Sequence, residues 1–502
     1  MIELTNTQNI TGSTYSSEHY AEYNKTGNKN LFEEVIDKLI LDKYSEDEDL
    51  KEAIAEASLK DKRLAILSLM GHNTLWSKLV DIINGNKLSK IEHLKEVILM
   101  LREYVKVGEV EKKKFGEVMT DLNLVKHLLS RIPEDDFKNP NKTFIDLANG
   151  TGVFPLIIIY RLMIGLESVF PDSEERYKHI VENQIFISEI QPKNMFLYLC
   201  LIDPYDEYKL NIYIGSSLDD GLRKHMKDVW KKESFSYSVG NPPFNQMIDM
   251  KFVKLSYEIA HVTCIVHPST WLLDEKGKQK AFLDTKNLIK DHLESIELFN
   301  GNKIFGIALF VPCVIIYIDK NKKTKGIKCV DKINNIEITY DNIYQINKYS
   351  NINEYFSIKK KIKDKSSNNL LLFKNKINGE FFINISQIRG NVNLKSNDNM
   401  VQDDFYTIVT KDTDISDINK KHIFYSFDNN LKAKNFLDYL KSDFSRFCLS
   451  IYKNNSQLDR GELEIIPWLD FTQEWTDEKL YKEFDLTDEE IKFINKHIPK
   501  YY

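Results

Sequence analysis

The chain has 502 residues, enough for two or three domains, and its 42% hydrophobic and 29% charged residues are typical of a soluble globular protein. The net charge of −6 argues mildly against a nucleic-acid partner, and the five scattered cysteines lack metal-ligand spacing, so no metal site is expected. No apolar run is long enough to span a bilayer and no basic-apolar leader opens the sequence, so we expect a reducing cytoplasmic setting without a membrane.

The N-terminal part divides into two segments. Residues 1–28 are rich in Thr, Ser, Asn and Gly, a composition that predicts a flexible segment. Residues 29–105 show helical periodicity in several short stretches, including an apolar stripe within residues 31–40. We expect breaks between helices at residues 58–61 and 73–76. The pattern predicts a helical N-terminal domain.

Residues 106–319 alternate short apolar runs with helical patterns, which predicts a mostly parallel sheet with helices on both faces. Residues 144–164 are predicted to form a strand, a turn that contains Gly150 and Gly152, and an apolar helix. Glycines let the backbone approach a ligand closely, and the N-terminus of the following helix offers free N–H groups to its polar end. A tight turn without a ligand is the structural alternative.

Two further strands follow this turn. Ile185–Ile190 is predicted to be the second strand, with Glu189 near its end. An acid after the second strand of such a unit typically binds ribose hydroxyls, although a surface carboxylate would give the same pattern. Asn211–Leu218 is predicted to contain the third strand, with Ser216 and Ser217 near the end of the segment.

The most informative segment follows the strand-like run Phe235–Val239 and reads Gly240-Asn241-Pro242-Pro243-Phe244. Two prolines stiffen this loop. The Asn241 oxygen and the Pro242 carbonyl can both accept from a planar amino group, while the Phe244 ring lies on the ring that carries the amine. Such a loop prepares a weakly nucleophilic amine for alkylation. A Pro-Pro loop that only closes a strand is the alternative.

The C-terminal part is strongly basic at its start. The apolar run Ile304–Ile318 is predicted to form one or two buried strands. Residues 320–395 then contain sixteen Lys and Arg against six acids, interleaved with aromatic residues. Basic residues neutralise phosphates, although a solvated lysine face is also compatible with this composition. Residues 466–502 carry a capping-box pattern at Thr487 and Glu490 that predicts a helical tail.

The order of these elements resembles that of amino-methyltransferases that use S-adenosylmethionine, in particular DNA adenine-N6 methyltransferases of the gamma arrangement in restriction-modification systems. In that arrangement the cofactor motifs precede the catalytic loop and the target-recognition domain comes last. The resemblance covers about residues 110–320. It implies an α/β fold with a Rossmann-like methyltransferase sheet in the catalytic domain, residues 106–319. It also implies a mixed α/β target-recognition domain for DNA at residues 320–465.

The resemblance also implies the site residues. The catalytic loop would consist of Asn241, Pro242, Pro243 and Phe244. The cofactor, S-adenosyl-L-methionine, would be bound by Thr120, Asp146, Asn149, Gly150, Gly152, Glu189, Ser216, Ser217 and Asn241. The chain departs from the family where Met119 and Asp121 flank Thr120 in place of an aromatic residue and a proline. It departs again at Ser216, where relatives usually have an aspartate near the cofactor's adenine.

The sequence therefore predicts methylation of the N6 amino group of adenine in a specific duplex DNA sequence, with the base extruded from the helix. Two other enzyme classes share the Asn-Pro-Pro loop. Protein-glutamine methyltransferases of release factors lack a long C-terminal extension, and ribosomal-RNA methyltransferases act on structured RNA. A DNA-recognition subunit with little catalysis is a third alternative, which Ser216 and Met119 keep open. The recognised bases, a restriction endonuclease partner and the role of the N-terminal helices stay open.

Overall fold

The structure is a computed structural model that divides into two compact units. The first contains Met1–Pro268, Asp284–Ile307 and Cys313–Ile333, and the second contains Ser269–Leu283, Ala308–Pro312 and Asn334–Tyr502. The residues that the structure describes are 45–84, 90–104, 120–244, 248–273, 280–305, 312–346, 353–362, 370–372, 381–385, 406–410, 423–452 and 466–498.

Eight strands of the large sheet lie in the first unit. They are β1 Phe144–Asp146, β2 Ile185–Glu189, β3 Asn211–Ile214, β4 Phe235–Gly240, β5 Ala260–Pro268, β6 Leu293–Phe299, β7 Cys313–Asp319 and β8 Ile327–Asp331. Their order across the sheet is β3-β2-β1-β4-β5-β7-β6-β8. Strands β1 to β5 are parallel, β6 and β8 are parallel, and β7 is antiparallel to both β5 and β6. The predicted mostly parallel sheet is confirmed.

Helices precede the sheet and connect its strands. They are α1 Glu48–Glu56, α2 Leu59–Leu69, α3 Asn73–Asn84, α4 Lys90–Tyr104, α5 Leu122–Leu129, α6 Val153–Gly165, α7 Ser173–His179, α8 Pro192–Ile202, α9 Asp220–Asp228, α10 Ile248–Ile259, α11 Thr270–Leu273, α12 Lys280–Ile289 and α13 Gly301–Phe305. The first break lies at Ala57 and Ser58, which caps α2, so only the first residue of the predicted break at 58–61 is outside a helix. The second break lies before Asn73, because Gly71 turns the chain with a φ of 79°.

The connections between parallel strands determine which face each helix covers. The chain moves from β1 to β2 and β3 in one direction and from β4 to β5 in the other. Because such crossovers are right-handed, α6 and α8 lie on one face and α10 lies on the other. Side chains of α9 and α10, including Leu222 and Phe252, share a core cluster with Ile145 of β1 and Phe186 of β2.

Helix α6 is apolar on nearly all sides, and most of its residues are buried. A helix with this pattern must be covered all round. It contacts β2 of the sheet and also α4 and α5, which supply the additional cover. The described N-terminal helices therefore complete the burial of the helix that follows the glycine turn.

The second unit is mixed α/β. Its strands are β9 Ile336–Tyr340, β10 Leu370–Leu372, β11 Phe381–Ile385, β12 Tyr406–Thr410 and β13 Ile423–Phe427, and the last four form an antiparallel sheet in the order β10-β13-β11-β12. Its longer helices are α14 Asn353–Ile362, α15 Asn430–Lys441, α16 Asp443–Tyr452, α17 Asp477–Glu483 and α18 Asp488–His497. One apolar cluster joins residues of α14, α15 and α16 to α17 and α18. The predicted boundary between residues 465 and 466 stays a prediction.

Several sequence expectations have a clear outcome here. The capping box at Thr487 and Glu490 is present at the start of α18. In the described part of the run Ile304–Ile318, Cys313–Ile318 belongs to the largely buried strand β7, whereas Ile304 and Phe305 belong to a short helix. The predicted flexible segment 1–28 and the apolar stripe within 31–40 lie outside the described residues. Within the described parts of the chain, no helix is both long and apolar enough to cross a membrane.

Candidate active site

The sheet brings the predicted site residues to one edge. Asp146 ends β1, Glu189 ends β2, and Asn241 follows the last residue of β4. Because these strands are parallel, their carboxyl ends meet at the same edge of the sheet. Strands β1 and β4 are neighbours from which the chain departs in opposite directions. Ligands of open α/β sheets bind at such a switch point.

The turn after β1 has the backbone that its glycines require. Gly150 and Gly152 have φ values of 54° and 91°, in the left-handed region. A Cβ on Gly152 would lie 2.4 Å from Cδ2 of Tyr198, so a side chain would also collide with this buried ring. Gly152 precedes α6, and no side chain of the described residues caps this helix. The N–H groups of its first turn can therefore bind a ligand.

Glu189 fastens this turn to the end of β2. One carboxylate oxygen accepts from the Gly150 N–H at 2.6 Å, and the other accepts from the Gln191 N–H at 2.8 Å. Glu189 is buried. Each carboxylate oxygen has further acceptor capacity, so hydroxyl groups of a ligand could still bind to it. In the structure itself, Glu189 holds the loop in place.

The carboxyl group of Asp146 is buried, and within the described residues only one of its two oxygens accepts a hydrogen bond. Its Oδ1 accepts from the Ala148 N–H at 3.0 Å, and its Oδ2 has no hydrogen-bond partner within the described residues. Gly240 allows this approach, because a Cβ there would lie 2.7 Å from Oδ1 of Asp146. Burial raises the pKa of Asp146 from its ordinary value to about 7, although the hydrogen bond from Ala148 acts in the opposite direction.

The Asn241 side chain lines the same cleft as Asp146, and one contact within the described residues orients it. Its Nδ2 donates to Oγ1 of Thr120 at 3.0 Å. Its Oδ1 is buried and has no hydrogen-bond partner among the residues described. Asp146, Gly240, Asn241 and Pro242 line a small cleft of about 200 Å³, which includes space open to solvent. A carbonyl group and a carboxyl group that can each accept a hydrogen bond therefore belong to residues that line one cleft.

The Phe244 ring stands at the outer end of the same loop. It is partly buried and meets Phe305 edge-on, with ring centroids 5.6 Å apart. The loop therefore presents a partly exposed aromatic ring that packs on one side against Phe305. Pro242 and Pro243 restrict the backbone between Asn241 and this ring.

The remaining predicted cofactor residues have bonds inside the chain. The Ser217 hydroxyl donates to the Leu147 carbonyl at 2.5 Å and lies 2.6 Å from the Ser188 hydroxyl, so it ties the ends of the first three strands together. The Ser216 hydroxyl accepts from the Leu218 N–H at 3.3 Å. Asn149 donates to the Gly150 carbonyl at 3.2 Å, and its Oδ1 has no partner within the described residues. Their roles toward a cofactor stay predictions.

Three features of the site were not singled out from the sequence. Gly240 admits the Asp146 carboxyl group, Gln191 donates its N–H to Glu189, and Tyr198 packs against Gly152. A glycine directly before Asn241 at a strand end is a signal that could have been read. Nothing in the sequence near Tyr198 indicates which glycine its ring covers.

The basic segment is partly neutralised by the chain's own acids. Lys322 lies 3.3 Å from Glu294, Lys332 lies 2.5 Å from Glu297, and Lys361 lies 2.8 Å from Glu490. Such pairs are individually weak when exposed. The positive charge available to a partner is nevertheless smaller than the count of Lys and Arg indicates.

No protein-family model and no curated protein matches the chain. Solved structures that resemble it include a modification subunit from Vibrio vulnificus YJ016 assigned to a type I restriction enzyme, at 19% identity and a TM-score of 0.36, covering 52% of this chain and 56% of that chain. The type I methyltransferase subunit from Streptococcus thermophilus is 14% identical, with a TM-score of 0.32, and covers 67% of this chain and 88% of its own. The type IIL restriction-modification enzyme MmeI in complex with DNA is 12% identical, with a TM-score of 0.40, and covers 75% of this chain and 66% of its own.

The chain thus spans little more than half the length of the Vibrio subunit. Because the TM-scores are below 0.5, these structural similarities do not indicate the activity of this chain. The strand order itself, with antiparallel β7 between β5 and β6, is that of the Rossmann-like methyltransferase sheet, and the predicted fold class is confirmed.

Proposed function

We propose that this chain methylates the N6 amino group of adenine in duplex DNA and uses S-adenosylmethionine as the methyl donor. The observation that carries the proposal is the buried Asn241 Oδ1, which has no partner within the described residues and stands at the switch point of the sheet. A buried acceptor without a partner is costly, so a ligand donor at this position would relieve that cost. An exocyclic amino group is such a donor.

The residues of the glycine turn fit the proposed cofactor. Gly150 and Gly152 allow a close backbone approach, and the open start of α6 offers N–H groups to a carboxylate. The buried Asp146 carboxyl group would be stabilised in its charged form by a cationic group nearby. Glu189 keeps lone pairs for ribose hydroxyls. These four residues together would hold the polar ends of the cofactor.

The catalytic loop would hold the amine. The Asn241 Oδ1 and the Pro242 carbonyl accept its two N–H groups, and they stabilise the positive charge that develops on the nitrogen. Phe244 stacks on the base that carries the amine. When bound, S-adenosylmethionine supplies an electrophilic methyl group: the nitrogen–carbon bond forms as the sulfur–carbon bond breaks, and the amine then loses a proton to solvent. Positioning of the two reactants accounts for much of the acceleration.

The substrate would be duplex DNA with the target base extruded, because an amino group inside the base stack cannot reach such a loop. Lysines of the basic segment would contact phosphates, and residues 320–465 would read the sequence. A restriction endonuclease that cleaves the unmethylated sequence would be the expected partner. The cytoplasm is the expected setting for this activity.

The test is methyl incorporation from tritiated S-adenosylmethionine into plasmid DNA, structured RNA and a glutamine-containing peptide. We expect incorporation into DNA as N6-methyladenine and a loss of about 100- to 1,000-fold in kcat for Asn241→Ala. Asn123→Ala, which alters an exposed residue of α5, is the control and should keep full activity. Incorporation into RNA or peptide alone would contradict the substrate, and an active, folded Asn241→Ala would contradict the mechanism.

A DNA-recognition subunit with little catalysis is a second candidate. It is favoured by Ser216, whose hydroxyl accepts from the Leu218 N–H at 3.3 Å and which stands where an aspartate is expected near the cofactor's adenine. Calorimetry of S-adenosylmethionine with the full chain separates the two candidates. Binding supports the enzyme, whereas DNA binding without cofactor binding supports the subunit.

A further inference from the structure

The amide of Asn241 can serve an amine in only one of its two orientations. Its carbonyl oxygen accepts hydrogen bonds, whereas its NH₂ group donates them. With the oxygen toward the cleft, an incoming amine finds an acceptor. With the amide turned by 180°, two donors would face each other, and the amine would be repelled. The orientation of this side chain is therefore part of the site.

In the orientation that the structure shows, the amide makes one contact among the described residues. Oγ1 of Thr120 accepts from Nδ2 of Asn241 at 3.0 Å, while Oδ1 has no hydrogen-bond partner within the described residues. The two residues are far apart in sequence, and their contact depends on where the segment before α5 lies. A threonine hydroxyl can accept from the amide and still donate elsewhere, so it suits this place.

Thr120 directly precedes a helix start that is fixed by hydrogen bonds and by packing. Asp121 caps α5 by accepting from the Asn123 N–H at 2.8 Å and the Leu124 N–H at 3.3 Å. Four residues of α5 are buried, and the helix contacts β5, the neighbour of the strand that leads to Asn241. Thr120 therefore approaches Asn241 from an anchored helix start.

We propose that Thr120 is a positioning residue that holds the Asn241 amide with its oxygen toward the acceptor amine. The inference rests on the proposed function and deepens it, because it gives the orienting group of the catalytic amide. It also gives Thr120 a role other than cofactor packing. Thr120 acts through Asn241 and makes no contact with the amine.

The first experiment compares Thr120→Val with Thr120→Ser in the full chain. Valine removes the acceptor and keeps the shape, so kcat for DNA methylation should fall about tenfold, which corresponds to one hydrogen bond of about 1.4 kcal/mol. KM for S-adenosylmethionine should stay within about twofold, and serine should recover most of the loss. The control is Thr143→Val, which removes a hydroxyl that accepts from the Ser236 N–H at 3.0 Å away from Asn241. It should leave kcat unchanged.

The second experiment repeats Thr120→Val in an Asn241→Asp background. A carboxylate has two acceptor oxygens, so its orientation no longer matters to an amine. Thr120→Val should then lower kcat by less than about threefold, against about tenfold beside asparagine. An equal loss in both backgrounds would indicate a general structural role and would overturn the proposal. A raised KM for the cofactor with unchanged kcat would overturn it as well.

The third measurement does not depend on activity. In protein labelled with ¹⁵N-asparagine, the Asn241 side-chain resonances are identified by their loss in Asn241→Asp. Thr120→Val should shift these resonances and speed their exchange with solvent, whereas Thr143→Val should not. Unchanged resonances would overturn the inference whether or not the chain methylates DNA. If Thr120→Val shifts the resonances clearly but the chain does not methylate DNA, the proposed function is wrong and the contact between Thr120 and Asn241 is still confirmed.

Discussion

Asp146→Asn should stabilise the free protein at neutral and alkaline pH. The Asp146 carboxyl group is buried, its Oδ2 has no partner within the described residues, and burial raises its pKa from 3.8 to about 7. A raised pKa means that the folded state binds the proton more tightly than the unfolded state. The stability that this proton provides is complete below about pH 4 and is lost as the pH rises through about 7.

The magnitude follows from the shift. A difference of about three pKa units corresponds to about 4 kcal/mol at 1.36 kcal/mol per unit. The wild type should lose this amount from its free energy of unfolding between about pH 4 and pH 8. Asparagine is close to the protonated acid in shape and keeps an oxygen for the Ala148 N–H. Asp146→Asn should therefore match the wild type near pH 4 and exceed its free energy of unfolding by about 4 kcal/mol at pH 8.

Urea denaturation of both proteins at pH 5, 6, 7 and 8 measures this difference, since groups that titrate alike in both proteins cancel. Asp203→Asn is the control: the Asp203 carboxylate accepts from the Glu207 N–H at 2.7 Å and the Tyr208 N–H at 3.0 Å, so the variant should be less stable at pH 8. A difference between wild type and Asp146→Asn that does not change with pH, or a less stable variant at pH 8, would refute the reasoning. If the proposed function is correct, the stabilised variant should also bind the cationic cofactor more weakly in calorimetry.

The other predictions concern single glycines and one buried acid. Gly150→Ala should lower the free energy of unfolding by about 1–2 kcal/mol, because the left-handed φ of this residue is strained for any side chain. No collision is added, because within the described residues nothing lies within 4 Å of the new Cβ. Gly152→Ala adds a collision with Tyr198 and should cost about 2–5 kcal/mol; equal urea midpoints for both variants would contradict this ranking. Burial opposes ionisation of Glu490, but the hydrogen bonds from Lys361, Ser357 and the Thr487 N–H, together with the charge of Lys361, outweigh it and lower its pKa. Glu490→Gln should therefore lower the melting temperature at pH 7 and lose this effect as the pH falls below the ordinary glutamate pKa of 4.5. An equal lowering of the melting temperature at neutral and at strongly acidic pH would argue against the ion pair.

Much of the first unit could be predicted because its signals are local. An apolar strand followed by a glycine turn and an apolar helix indicates β1 and α6, and the structure places them at 144–146 and 153–165. The strands that end in Glu189 and Gly240 agree with the predicted runs. The prediction failed in part at Ile304–Ile318, because apolarity alone does not distinguish the end of a short helix from a strand.

The sequence by itself determined which groups reach the ends of the strands: the glycine turn, the acid after β2 and the amide-proline loop after β4. These follow from residue types at fixed spacing, since the chain direction carries each strand end to the same edge. Only the tertiary structure decided how these groups meet. The Asn241 amide contacts Thr120, and the Asp146 carboxyl group lies against Gly240, because β1 and β4 are neighbours and α5 packs on β5. Contacts between residues about a hundred positions apart depend on packing, which local spacing does not encode.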